Sequence, residues 1–263
     1  MEYVDILYTK EAAVATITLN RPDKRNSFSP EMVASIQNAV ADATSDDDVR
    51  VLVITGAGQA FCAGGDVKAM ADQFAKPRST GARDAVAEGA PLYGLVHHFP
   101  KPTVAAVNGV CVGGGLEMAL ACDIRIASDR ARFSEAFVRR GMMPMGSGTF
   151  ILPRLVGVDR ACLLIFAGDM IDAKEAERIG LVTAVVSHEQ LESAVTELTH
   201  KLTKAAPMAV RAAKEAIYRG LSTGLDAALE WAFARNGELA KTEDHEEGSK
   251  AFVEKREPVF RGK

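Results

Sequence analysis

The stretch Asn108 to Asp123, Asn-Gly-Val-Cys-Val-Gly-Gly-Gly-Leu-Glu-Met-Ala-Leu-Ala-Cys-Asp, constrains the chain more than any other. Before it, Pro102 to Val107 is a short apolar run of strand type. After the glycines, Leu116 to Ala121 carries no helix breaker, so Gly113, Gly114 and Gly115 fall where a strand turns into a helix. A helix start leaves backbone N–H groups without partners and carries partial positive charge, so it suits an anion or an oxygen on which charge develops. Glu117 follows Gly114 by one helical turn, which sets a carboxylate beside whatever those N–H groups hold. An oxyanion donor is thereby paired with an acid/base. The plain structural alternative is that the glycines only let the helix pack closely on a strand while Glu117 faces solvent, and a glycine cluster alone does not separate the two.

Ahead of this stretch, Ala13 to Leu19 alternates in the manner of a half-buried strand. Ser29-Pro30 opens a helix as N-cap and first-turn proline, with Met32, Ile36, Ala39 and Val40 on its apolar face. The run Asp46 to Asp48 closes it and reads as a solvated turn. Val49 to Thr55 is a continuous apolar strand of the kind buried on both faces. Phe61-Cys-Ala-Gly-Gly-Asp66 then forms a second glycine-rich entrance to a helix beginning near Asp66. Residues 76–91, polar and interrupted by Pro77, Gly81, Gly89 and Pro91, read as an exposed connection able to gate a pocket.

Beyond Asp123, Ile124 to Ala127 and Ala131 to Phe133 read as short strands. Asp159 is expected to cap a helix, Asp172 with Glu175 forms a capping box, and Ser187 with Gln190 repeats it. Val182 to Val186 is the last expected strand. Thereafter the pattern is helical over Gln190–Ala205, Pro207–Arg219, Ser222–Ala240 and Glu243–Lys255. Trp231 and Phe233 read as packing residues. The change of character divides the chain into a core over residues 1–187 and a helical region over 188–263.

Composition excludes several classes. Lysine and arginine total 31 against 35 acidic residues, a net charge of −4 that argues against a general nucleic-acid binder. The sequence contains no run long and apolar enough to span a bilayer, and Met1 to Asp5 lacks the basic start of a signal peptide, so a cytoplasmic protein with no membrane association is expected. Cys62, Cys111, Cys122 and Cys162 form no Cys-x-x-Cys pair and have no histidines at metal spacing, so no metal site is expected. Cys62 adjoins the glycine loop, yet no positioned base marks it as a nucleophile. The adjacent His97 and His98 cannot share a helix face as ligands and receive no role.

Taken in order, Asn20-Arg-Pro, Ala60-Phe-Cys-Ala-Gly-Gly-Asp66, the Gly-Gly-Gly-Leu-Glu stretch, Leu152-Pro-Arg-Leu-Val-Gly157 and the tail Phe252 to Lys263 resemble the signature of the crotonase (enoyl-CoA hydratase/isomerase) superfamily nearly end to end. The resemblance implies an α/β crotonase-like (ClpP/crotonase) fold of repeated ββα units with a helical C-terminal region, assembled as a homotrimer or a dimer of trimers. It also implies an acyl-CoA thioester as substrate and no prosthetic group, in the setting of fatty acid metabolism. Carried over by position, the oxyanion donors are the backbone N–H groups of Gly65 and Gly114, and Glu117 is the catalytic carboxylate. Lys24, Arg25, Ala63, Asp66 and Val67, with Phe252 and Lys255 from the tail of the same or a neighbouring subunit, are implied to contact CoA.

The sequence departs from the family pattern at two places. Typical hydratases carry a second catalytic glutamate where this chain has Phe137, and some relatives carry an aspartate where it has Met145. Glu135, two residues before Phe137, is a candidate second carboxylate from a shifted position. In a strand Glu135 shares a face with Phe137, and in a helix it does not. The leading expectation is reversible hydration of a 2-enoyl-CoA, with Glu117 deprotonating water while the thioester enolate rests on two N–H groups. A double-bond isomerase using one carboxylate and a non-catalytic acyl-CoA binder stay open. A dehalogenase is disfavoured, because Met145 cannot act as its nucleophile.

Overall fold

A computed structural model of the chain describes residues 2–67 and 92–263. The exposed connection expected over residues 76–91 lies outside the described residues.

The large sheet holds six strands in the order β1 (Ile6–Glu11), β2 (Val14–Leu19), β3 (Val51–Gly56), β5 (Thr103–Val107), β7 (Ile124–Ser128) and β10 (Ala184–Val186). Only β1 and β2 are antiparallel, while the others run parallel. A smaller sheet orders β4 (Ala60–Cys62), β6 (Val110–Val112), β8 (Arg132–Ser134) and β9 (Ile171–Asp172), with only β9 antiparallel. Thus β3/β4, β5/β6 and β7/β8 each send one strand to the large sheet and the next to the small one. This is the repeated ββα arrangement that the resemblance implies.

Burial explains the sequence pattern strand by strand. In β3, Leu52 and Ile54 join the main core while Val51 and Val53 face a second cluster. Ala105 and Val107 of β5 divide from Val104 and Ala106 in the same way. A strand covered on both faces reads as an unbroken apolar run. On the far side, α7 (Leu191–Thr203) closes the second cluster with Leu191 and Val195. In β2 only Ala15, Ile17 and Leu19 are buried, which accounts for its alternation.

Helix α1 (Pro30–Ser45) begins as expected, with Ser29 Oγ accepting from Met32 N at 3.1 Å. Its C-terminus differs from the expectation of a merely solvated aspartate turn. Asp46 accepts from Lys10 Nζ at 2.6 Å, and the buried Lys101 donates Nζ to the carbonyls of Ala43 and Asp46. A cation set against the last carbonyls satisfies groups that the helix leaves open. Helix α2 (Gly114–Ala121) uses the same device, with buried Arg125 donating Nη1 to Cys122 O at 2.6 Å and Nε to Leu181 O at 2.9 Å.

Further along come α3 (Ser147–Phe150), α4 (Leu152–Val156), α5 (Val158–Ala167), α6 (Ala173–Arg178), α8 (Pro207–Gly220), α9 (Leu225–Leu239) and α10 (Glu243–Glu254). Several sequence expectations need correction. β1 precedes the first expected strand, its exposed, mixed residues lacking a clean alternation. Asp159 lies inside the first turn of α5, where Gly157 holds the N-cap. Asp172 does cap α6 through Glu175 N at 2.8 Å, but Ser187 Oγ donates instead to the Gln190 side chain at 3.1 Å, so no second capping box forms. Trp231 is half-buried with Arg219 over its ring, whereas Phe233 stands 75 % exposed.

The C-terminal tail is tied into its own chain. Asp244 accepts from the N–H groups of Arg261 and Gly262 at 2.6 and 2.8 Å, and Arg50 donates to Thr203 O and Phe260 O.

Candidate active site

The central glycine stretch folds as strand, turn and helix. Gly113 occupies φ 53°, a left-handed conformation costly for any residue with a Cβ, and accepts from Glu117 N at 2.9 Å. Gly115 is required for a different reason. A Cβ there would stand 2.1 Å from Cys62 O, so the start of α2 lies directly on the end of β4. That contact brings the loop 62–67 against the glycine turn, and a Cβ at Gly64 would lie 3.0 Å from Gly114 N. Neither Gly65 N nor Gly114 N meets a hydrogen-bond acceptor among the described residues.

Glu117 does not face solvent, and its carboxyl group is fully buried. Its Oε1 accepts from Met145 N at 2.9 Å and Gly148 N at 3.2 Å, while Oε2 is buried without a partner among the described residues. Glu135 is equally buried, and neither of its oxygens has a partner among the described residues. The two carboxyl groups converge on Gly148, where a Cβ would lie 2.8 Å from Glu117 Oε1 and 3.0 Å from Glu135 Oε1. Glu135 therefore reaches Glu117 from just past the end of β8, in neither of the two settings weighed from sequence.

Their electrostatics diverge. Burial raises the pKa of Glu117, opposed by the N–H groups of Gly148, Met145 and Ser147, which favour the charged form. Burial, and then the neighbouring Glu117, push Glu135 up to about 9 with nothing to oppose them. At neutral pH the pair holds a proton on Glu135, and Glu117 is the member equipped to carry charge.

The apolar replacements have definite places. The Phe137 ring lies 3.8 Å from where a Cβ on Gly113 would be, covering the glycine turn. Met145 gives its backbone to Glu117, and its side chain lines a cavity of about 950 Å³. The buried Tyr93 lines the same cavity, with its hydroxyl 2.7 Å from the Cβ position of Gly114. Sequence reasoning missed Tyr93, Ser147 and Gly148. Only the Pro-Met-Gly-Ser-Gly turn composition offered a signal, because the relevant contacts join segments far apart in sequence.

Cys62 is buried, and burial raises its thiol pKa to about 12, which leaves it protonated and unreactive. Among the described residues no three His, Cys, Asp or Glu side chains are grouped to hold a metal. No helix there is long and apolar enough to cross a membrane.

Of the expected CoA contacts, one group assembles. Exposed Lys24 and Arg25 precede buried Asn26, and Arg25 O accepts from Ala63 N at 3.0 Å, which joins this segment to the loop 62–67. Asp66 lies 3.7 Å from Arg21. Phe252 is 85 % exposed on α10 and Lys255 caps that helix in a left-handed conformation, but neither lines the cavity within the chain.

The fold is that of crotonase-class enzymes: a crystal structure of an enoyl-CoA hydratase from Bacillus anthracis superposes with a TM-score of 0.93 at 37 % identity, covering 99 % of this chain and 100 % of that one. The enoyl-CoA hydratase/isomerase family model matches residues 9–263, and the chain belongs to that family. It is 37 % identical over 257 residues to the short-chain-enoyl-CoA hydratase of Clostridium acetobutylicum, with 97 % of each chain covered. It is 40 % identical over 250 residues to the (E)-benzylidenesuccinyl-CoA hydratase of Thauera aromatica, covering 95 % of this chain and 96 % of that relative.

Proposed function

We propose that this enzyme reversibly hydrates a 2-enoyl-CoA to the 3-hydroxyacyl-CoA, with Glu117 as base and Glu135 as acid. The observation that carries the reading is the convergence of two buried carboxyl groups on Gly148, one held by N–H donors and one without a donor among the described residues.

The thioester oxygen accepts from the N–H groups of Gly65 and Gly114. Glu117 Oε2 takes a proton from water as the oxygen attacks the β-carbon, and the double-bond electrons move through the α-carbon onto the thioester oxygen. The enolate then collapses and its α-carbon takes the Glu135 proton. The proton gained by Glu117 then passes to Glu135, so water is consumed and both carboxyl groups return to their starting states. Removing a preorganised oxyanion donor costs about 100- to 1000-fold in rate, and removing a positioned acid or base costs a comparable factor.

Lys24, Arg25, Ala63, Asp66 and Val67 form the CoA side of the site in this reading, with cations suited to its phosphates. Phe252 and Lys255 act on a neighbouring subunit. The helical region 188–263 builds a homotrimer or a dimer of trimers, since α9 buries no residue within one chain. Four unpaired cysteines accord with a cytoplasmic location, and fatty acid metabolism accords with the substrate class.

The test is crotonyl-CoA hydration, followed as loss of the conjugated-thioester absorbance, in the wild type and Glu117→Gln. Turnover is expected in the wild type, with a loss of about 100-fold or more in the variant. A product of unchanged mass would replace hydration by double-bond isomerisation. A Glu117→Gln enzyme as active as the wild type would remove Glu117 from the mechanism.

A further inference from the structure

Gly114 is a glycine for a reason that its two neighbours do not share. Gly113 needs its left-handed φ and Gly115 lies on Cys62 O, whereas Gly114 has no positive φ and leaves a space that other groups fill. A Cβ there would meet the Tyr93 hydroxyl at 2.7 Å, the Phe28 ring at 3.3 Å and Gly64 Cα at 3.5 Å. Phe28 is bound to the other glycine loop, donating its N–H to Gly64 O at 2.9 Å and forming a bridge with Gly65. The Tyr93 hydroxyl therefore stands where the two turns that carry the Gly65 and Gly114 N–H groups meet.

Its surroundings keep it a donor without an acceptor. Residues 92–97 are helical, and Leu92, Tyr93 and Val96 all join the main core, which holds the ring at 5 % exposure. With only two rotatable bonds, a ring fixed in this way leaves its hydroxyl little freedom to move off. Tyr93 also lines the cavity, next to Met145 and Ser147. Glu117 and Glu135 are near enough for their charges to act on the hydroxyl, yet it bonds to neither and to no other described residue. Burial, and then Cys62 and those two carboxyl groups, hold its pKa well above the usual 10, so the proton stays on the oxygen. Buried tyrosine hydroxyls ordinarily find a partner, so one left uncommitted at this junction points to an acceptor brought by the ligand.

We infer that the Tyr93 hydroxyl is a third donor to the thioester oxygen, alongside the N–H groups of Gly65 and Gly114. The inference rests on the acyl-CoA reading above and deepens it, by adding a side chain to an oxyanion site otherwise made of backbone. A hydrogen bond to an oxyanion is about twice as strong as one to a neutral carbonyl, so this donor favours the enolate over the bound thioester. Tyr93 neither gains nor loses a proton in the cycle. The small size of Gly114 then has a chemical purpose, because a methyl group there would occupy the place of the hydroxyl.

The experiment uses Tyr93→Phe, which keeps the ring and removes only the hydroxyl. With crotonyl-CoA, kcat is expected to fall by about 10- to 100-fold, the worth of one hydrogen bond to a charged group, while KM changes little. The second readout is the enolate absorbance of bound acetoacetyl-CoA, an enolisable thioester that needs no turnover. At equal pH and saturation the band is expected to be weaker in the variant than in the wild type. Wild-type hydration with an equal kcat in Tyr93→Phe leaves the hydratase reading standing and overturns this inference. A slower variant with an undiminished enolate band also overturns it, since the hydroxyl would then act on water rather than on the thioester. Should the wild type not hydrate crotonyl-CoA, the hydratase reading falls and the enolate band decides the inference separately. A weaker band in Tyr93→Phe supports it, and an equal band, or none in the wild type, overturns it.

Discussion

Glu117 and Glu135 differ by the donors around them, and that difference sets the expected pH dependence. In the proposed mechanism, turnover in the forward direction needs Glu117 ionised and Glu135 protonated. The rate is therefore expected to rise with pH through the raised pKa of Glu117 and to fall as pH passes about 9. Glu135→Gln should lower kcat by about 100-fold or more and remove the alkaline limb of the profile, which a pH–rate series on both enzymes checks. The same residue affects stability. Its pKa in the folded chain lies above its ordinary 4.5, so its contribution is complete below pH 4.5 and is lost as pH rises to about 9. For this one group the loss is about 1.4 kcal/mol per pH unit inside that window. Chemical denaturation of Glu135→Gln is expected to show a gain over the wild type that grows from pH 5 to pH 8. A gain independent of pH would mean that Glu135 ionises freely in the folded chain.

Among the elements, α2 and β4 place the site by lying against each other without an intervening side chain. Gly115→Ala would force a Cβ against Cys62 O, a backbone atom that cannot rotate away. Overpacking of this kind costs about 1–3 kcal/mol, and here it also separates loop 62–67 from the glycine turn. A lower Tm is expected together with a loss of kcat larger than the fall in stability explains. Crotonyl-CoA kinetics well below the variant's Tm separate the two effects. Arg125 serves the other end of α2, and Arg125→Met leaves its carbonyls without their donor. A buried acceptor left unsatisfied costs about 1–3 kcal/mol, measurable by denaturant unfolding. The sequence carried little sign of this device, because no basic residue lies in the last turn of α1 or α2. The cations arrive from Lys101 and Arg125, outside those helices.

Across the whole molecule, the last helices leave apolar side chains uncovered. Ile217, Leu221, Leu225, Leu229 and Phe233 are exposed along α8, α9 and their junction, and Leu163 and Phe166 are exposed on α5. Such apolar surface accords with the proposed assembly of chains. Native mass is expected at three or six chains, and Leu225→Lys/Phe233→Glu should shift it downward. A wild-type monomer at micromolar concentration would remove the subunit-sharing role proposed for Phe252 and Lys255.

The glycine turn and the place of Glu117 beside it were legible in the chain itself because they depend on local chemistry, while the repeated fold was expected from the family resemblance. Glycines interrupt apolar runs, a strand buried on both faces is apolar throughout, and one helical turn separates Gly114 from Glu117. Glu135 was legible only as a candidate, since its spacing could not say whether it turns toward Phe137 or away. Tertiary structure decided that, by bringing residues 117, 135 and 148 to one point and denying Glu135 any donor. The short strands β4, β6 and β9 took their form from pairing across the small sheet, and three residues or fewer carry too little pattern to announce it. The cavity was decided in the same way: α8, α9 and residues 93–100 meet in space, and no local signal in any of them records the other two.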